Sequence, residues 1–355
     1  MNNLIRVFIF ITALFFSSLS WCHEKIKDKK ISVLPVPVIG YTPETRTYFG
    51  AVTLFTFRNP KDTLTRSSNT SIEFNYTWNK QIITETDWNY FSAGEKWFLR
   101  GLAHFSKYPD LYYGVGFDTP QSDEIKYQSN RVVFDADFFR KIKNKFFLGA
   151  GFNLKTYQNL EYLTNNVLYP ELKDENNIGF KLLFLHDTRN NILSPTNGKY
   201  LEINNSFNIN SAVYDGILLD YRQYFNFGKQ KKNVLAVRSF HNTVFGKPPF
   251  YDYALFGGDK NARGYYLGRY RENNLTTAQF EYRQQLYKRL GFSAFGGISL
   301  LFGEVSAIEN ESFKPNAGLG IRFLVDKTEG TNLRIDYAVG THNQSGFYIS
   351  FGESF

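Results

Sequence analysis

The 355-residue sequence predicts an all-β transmembrane protein, an antiparallel β-barrel of sixteen strands, on three observations. Aromatic rings are in excess: 36 Phe, 24 Tyr and 4 Trp make 18% of the chain, against one Met and one Cys. A soluble domain draws its apolar content mainly from Leu, Val, Ile and Ala. Segments of about ten residues alternate apolar with polar side chains, the period of a strand with one greasy and one wet face. The chain opens on an export-type leader, and no later apolar run approaches the ~18 residues of a membrane helix. A soluble sandwich would turn the aromatic face inward. A membrane barrel turns it to lipid, and the leader, the ring content and the segment length all favour the barrel.

In chain order, Met1 to Cys22 carries one Arg, an apolar stretch from Val7 to Phe16 broken by Thr12, and then small polar residues. This pattern reads as a signal peptide over residues 1–22, with cleavage after Ser20 or after Cys22 both open. Leu19-Ser20-Trp21-Cys22 approaches a lipoprotein box, but Trp before the Cys is too bulky for it. Cleavage after Cys22 leaves no cysteine, and with it neither a disulfide framework nor a thiol nucleophile. Residues 23–41 read as a short periplasmic tail, with Lys25, Lys27, Lys29 and Lys30 followed by an extended Leu34-Pro35-Val36-Pro37-Val38. It is too short for a soluble domain, which takes ~50 residues. It is read either as a plain tail or as a segment entering the barrel mouth. The barrel is expected over 42–355.

Ser71 to Trp78 puts Ile72, Phe74, Tyr76 and Trp78 on one face and Ser71, Glu73, Asn75 and Thr77 on the other. Arg131 to Phe138 and Gln279 to Arg283 repeat the pattern. Strands are expected near 46–58, 68–78, 81–91, 96–106, 111–117, 128–140, 145–157, 177–187, 199–210, 216–227, 233–245, 275–287, 291–303, 316–325, 332–340 and 346–355. Short basic turns (141–144, 228–232, 288–290) belong to the periplasmic side, and the long connections 158–176 and 246–274 to the outside. An even count keeps both chain ends on one side, which requires Lys107-Tyr108-Pro109-Asp110 to be a turn before a short fifth strand. In lipid only a closed barrel satisfies the backbone of such strands.

The longest connection carries Gly257-Gly258-Asp259-Lys260-Asn261-Ala262-Arg263-Gly264-Tyr265. It resembles the Arg-Gly-aromatic motif in the sixth outer loop of the BamA-like outer-membrane superfamily. That superfamily includes barrel-assembly proteins, two-partner secretion translocators and bacterial surface antigens. Asp187-Thr188-Arg189 with Pro195-Thr196-Asn197-Gly198 resembles the family's Asp-Thr-Arg…Pro-Thr-x-Gly turn. Phe280 to Arg283, Ala317 to Arg322 and Leu333 to Ala338 resemble its later strands, in the same order. The resemblance is clear over 180–355 and loose over 42–179. It implies a sixteen-stranded barrel whose sixth loop folds toward the lumen. It places the loop motif at Arg263, Gly264 and Tyr265, and the turn motif at Asp187, Arg189, Pro195 and Gly198. The short segment before the barrel leaves no room for the periplasmic POTRA domains of many members, so the chain resembles the POTRA-less branch. The family's Phe-x-Asp-x-Gly strand reads Phe295-Gly296-Gly297-Ile298-Ser299 here, without its Asp.

Alternation puts Glu281 and Asp336 on the polar faces of their strands, so one of them is the expected partner of Arg263, since an unpaired buried charge is costly. Turn geometry is an equal account of Asp187 and Arg189. In the last segment Phe347, Ile349, Phe351 and Phe355 resemble the C-terminal signal by which the barrel-assembly machinery recognises its substrates. No enzyme motif is present: the five histidines have no metal spacing, and His104 alone merits inspection. No cofactor, metal or nucleic-acid partner is expected. The net charge of +8, or +7 without the leader, suits anionic lipid. The expected location is the outer membrane of a Gram-negative bacterium, with lipid, the assembly machinery and a protein or lipid client as partners. The expected function is assistance to protein or lipid insertion or transport. The alternative is a passive pore or structural surface-antigen barrel.

Overall fold

A computed structural model describes residues 31–42, 46–57, 62, 65–78, 81–164, 169–210, 212–228, 233–326 and 330–355; the leader assigned to 1–22 lies outside them. Eighteen strands run in chain order among the described residues. They are β1 (Ile31–Thr42), β2 (Arg46–Phe57), β3 (Ser68–Thr77), β4 (Ile82–Phe91), β5 (Trp97–Tyr112) and β6 (Ile125–Lys143). There follow β7 (Phe146–Tyr162), β8 (Glu175–Asp187), β9 (Gly198–Asn210), β10 (Tyr214–Phe227), β11 (Asn233–Gly246) and β12 (Ala254–Phe256). The last are β13 (Tyr270–Glu272), β14 (Asn274–Tyr287), β15 (Leu290–Phe302), β16 (Phe313–Asp326), β17 (Thr331–Gly340) and β18 (Ser345–Phe351). Sixteen of them form one antiparallel sheet in sequence order, while β12 and β13 pair as a small hairpin inside the long loop. The edges β1 and β18 lie alongside each other, and the Tyr48 hydroxyl reaches the Ile349 carbonyl at 3.4 Å.

The outward face identifies lipid as the surrounding solvent. In β8 the buried side chains are Glu175, Asn177, Lys181, Leu183, Leu185 and Asp187. Phe180 and Leu182 on the other face are 56% and 60% exposed. Rows of large apolar groups such as Ile72, Phe74 and Tyr76 repeat this around the sheet. In water each would forgo ~1.5–3 kcal/mol of burial, whereas in a bilayer the same surface is matched to its medium. The longest strands, β6 at 19 residues and β7 at 17, exceed the ~9–11 needed to span the membrane and stand above it.

The sixteen strands of the sheet are not the sixteen read from the sequence. The segment taken as part of a periplasmic tail is a strand from residue 31: β1 pairs with β2 over its whole length, from Ile31–Phe57 to Thr42–Arg46. Pro35 and Pro37 disguised it, because proline within a run argues against a central strand yet is tolerated on an edge. The turn at 107–110 and the separate fifth strand at 111–117 are also absent. β5 runs unbroken through Pro109 to Tyr112, and Gly116 forms only an isolated bridge to Arg271. The ladder with β4 ends at Ile82–Lys107, so Pro109 lies past that neighbour and its missing N–H interrupts nothing there. The added first strand and the lost fifth offset each other.

Residue 355 departs from expectation too. β18 stops at Phe351, and Gly352, at φ 79°, turns the chain inward. Phe347, Ile349 and Phe351 hold the alternate positions of the strand, but Phe355 does not continue their row. Its ring is buried against Tyr224 and Ala236, and its carbonyl accepts from Arg283 Nη2 at 2.8 Å.

Candidate functional site: a charge network in the lumen

The long connection between β11 and β14 folds back against the polar face of the sheet. A short helical turn, Gly258–Asn261, presents Asp259, and Arg263 follows two residues later. Arg263 Nη1 donates to Asp336 Oδ2 and Nη2 to Glu281 Oε2, both at 2.5 Å. Alternation offered one partner or the other; the planar guanidinium takes both. Arg283 Nε and Arg322 Nη2 donate to Glu281 Oε1 at 2.8 and 3.0 Å. Asp336 also accepts from Arg322 and Arg334. Arg334 closes the circuit by gripping both oxygens of Asp259, at 2.7 and 2.5 Å, and Arg322 reaches Glu353 at 2.8 Å. Four guanidiniums thus alternate with four carboxylates, and Glu281 and Asp336 are fully buried. Single removal of a buried partner is expensive, because it strands a charge away from water.

Position-specific packing fixes the loop further. The Arg263 guanidinium lies 3.4 Å from the Phe295 ring centroid, the aromatic of the strand that lacks the family's Asp. Gly264 adopts φ 107°, its N–H donates to the Tyr348 hydroxyl at 3.0 Å, and a Cβ there would lie 2.8 Å from the Val339 carbonyl carbon. Only glycine allows that approach without displacing the wall. The Tyr265 hydroxyl donates to Pro315 O and accepts from Thr341 N, both at 2.8 Å. Burial works against ionisation of Asp259, but Arg334 and then Arg263 outweigh it and hold the carboxyl below its usual range.

The turn motif forms a second, periplasmic network. Asp187 accepts from Arg189 Nε at 3.0 Å and from Arg66 Nη1 at 2.6 Å, and Arg66 Nε also reaches Glu95 at 3.1 Å. The connection after β2 is thereby tied to the turn after β8, a link that no local sequence signal announced. Gly198 at φ 104° closes the turn against Thr188. Pro195 O accepts from Arg283 Nη1 at 3.2 Å, and Leu193 O from Glu353 N at 2.8 Å. The turn therefore reaches the inward-bent end of β18. Burial would raise the Glu95 carboxyl; Arg66 and Lys145 outweigh it and lower it. The tie is complete at neutral pH and is lost only as acid protonates this depressed group. Arg66→Ala should lower the midpoint of heat-modifiable unfolding by several degrees, with Arg66→Lys intermediate, because a charged hydrogen bond contributes ~1.5–3 kcal/mol.

Two apolar clusters bracket the charges. Phe91, Phe98, Phe139, Phe147, Leu183, Leu185 and Tyr200 pack together near the periplasmic ends of β4–β9. At the outer end Phe250 of the long loop packs edge-on against Tyr112, Tyr127 and Tyr157. Phe250→Ala forfeits ~3–5 kcal/mol of packing. It should raise single-channel conductance in planar bilayers; unchanged conductance would place the outer closure elsewhere.

His104 lies between Glu85 Oε2 and Ser106 Oγ, each at 2.9 Å. This is the order of a catalytic triad, but Ser106 is fully buried. His241 sits likewise between Thr276 and Thr243 at 2.7 and 2.8 Å, so the arrangement recurs as a polar ladder on the inner wall. Among the described residues no group of His, Cys, Asp and Glu could hold a metal ion.

An Omp85 superfamily domain model matches residues 44–355. The chain belongs to the Omp85 superfamily. Among solved structures, this Omp85 chain resembles BamA from Haemophilus ducreyi lacking POTRA domains 1–3, at TM-score 0.57 and 12% identity, over 92% of this chain and 70% of that one. It also resembles CdiB from Acinetobacter baumannii, at TM-score 0.61 and 13% identity, over 91% of this chain and 60% of that one. At these identities the likeness is one of fold. No curated protein sequence matches it. Omp85 membership makes this an outer-membrane β-barrel of Gram-negative type.

Proposed function

We propose that this Omp85 barrel assists insertion or transport of proteins or lipids at the outer membrane by opening between β1 and β18. The observation that carries this reading is the build of that seam. Pro35 and Pro37 stand two apart in β1, so both missing N–H groups point to the same neighbour. β2 pairs on one side, and proline belongs on the unpaired side of an edge strand. The edge lacking two donors is therefore the one turned to β18. β18 spans seven residues and β1 twelve, so at least five residues of β1 have no partner along it. Such an edge is suited to receive a client strand by β-augmentation.

The passive-pore alternative fits less well. The charge network and the two aromatic clusters occupy the lumen at three levels. In this reading the chain makes and breaks no covalent bond, and its working partners are membrane lipid and the client. A cysteine in β1 paired with one in β18 tests it. The oxidised pair should fail to replace the native protein in cells while staying folded, and reductant should restore function. Full function of the oxidised barrel would refute seam opening.

A further inference from the structure

The periplasmic rim of the sheet encloses a cavity of about 390 Å³ between the turn after β8 and the ends of β11, β14, β15 and β16. Arg283, Arg289, Arg322 and Glu353 are among the residues that line it, and the Arg322 guanidinium is already spent on Glu281, Asp336 and Glu353. Glu353 is already engaged by Arg322 and by Asn332, each at 2.8 Å, and forms an ion pair with Arg283 Nε at 3.5 Å. Arg283 spends three of its five N–H groups on Glu281, Pro195 and Phe355. Arg289 forms no ion pair among the described residues. The Ser194 hydroxyl, also in the lining, is buried without a hydrogen-bond partner. Phe292 and Leu324 give the cavity an apolar side.

We propose that this cavity binds the phosphate of an anionic phospholipid headgroup from the periplasmic leaflet. Spare guanidinium N–H groups and an orphaned hydroxyl match a phosphate's oxygens, which accept and do not donate. The volume equals about thirteen waters at ~30 Å³ each, more than a bare phosphate fills. The apolar side suits the glycerol and first methylenes of a lipid. The position, at the periplasmic strand ends, is where such headgroups lie. The same turn holds the Glu353 N–H through Leu193, so an occupied cavity also braces the end of β18.

Native mass spectrometry of the purified full-length barrel in neutral detergent tests this, with phosphatidylglycerol, phosphatidylcholine and inorganic phosphate as separate probes. Phosphatidylglycerol should be retained in preference to phosphatidylcholine. Arg289→Gln should weaken retention about tenfold and Ser194→Ala several-fold, with Arg289→Lys between, while each barrel stays heat-modifiable. Equal retention of phosphatidylglycerol by Arg289→Gln would overturn the site. Full displacement of the lipid by inorganic phosphate would overturn the lipid and leave a free-anion site.

Discussion

Arg263→Ala should release the long loop while leaving the barrel folded. Loss of one member of a buried ion pair costs ~3–5 kcal/mol. Here the effect belongs at the lower end, because Glu281 keeps Arg283 and Arg322 and Asp336 keeps Arg322 and Arg334. The freed loop should be cut by protease added to intact cells between residues 247 and 273. Heat-modifiable migration should persist, since the strand ladders do not involve Arg263. Arg263→Lys should protect only partly, because one ammonium cannot reach two carboxylates with a planar fork. Adding Asp259→Ala removes the Arg334 grip, the second pin of the loop. Cleavage should then be faster than in either single variant. A loop that stays protected in Arg263→Ala would mean that Asp259, Tyr265 and the outer aromatic cluster hold it without the arginine.

The seam gives the second large effect. Pro35→Thr with Pro37→Thr restores two backbone donors on the edge of β1 facing β18. Each neutral hydrogen bond contributes ~0.5–1.5 kcal/mol, and two at a seven-residue seam are a large share of its cohesion. The double variant should unfold at a higher temperature and lose activity in cells. The ladder with β2, which already runs the length of β1, should not change. A variant that is more stable and equally active would separate the seam from function.

Much of the barrel was legible because its alternation is strong where lipid meets the wall. Segments such as Ser68–Thr77 and Glu175–Asp187 were read nearly to their ends. The missed first strand has a physical source in proline beside an unpaired neighbour. Pro35 and Pro37 hid an edge strand, and with that strand missing an even count demanded a turn at 107–110, where β5 merely outruns β4. Phe355 was misplaced because Gly352 reads as an ordinary strand residue until its positive φ is seen. At the site, the ordered motifs and alternation brought Arg263, Glu281 and Asp336 into view. Asp259 and Arg334 both stand in the quoted motifs, but their pairing went unseen, since they meet only after the loop folds back across 75 residues of chain. The Arg66–Asp187 tie was hidden likewise, by 121 residues.

The most direct test of the account is photo-crosslinking in living cells from a benzophenone side chain placed at the seam. Val33 of β1 and Phe347 of β18 are the sites, with lipid-facing Leu182 of β8 as control. The account predicts protein adducts of defined mass at Val33 and Phe347 that are absent at Leu182, where only bulk lipid is within reach. Adducts of the same kind and yield at all three positions would contradict it.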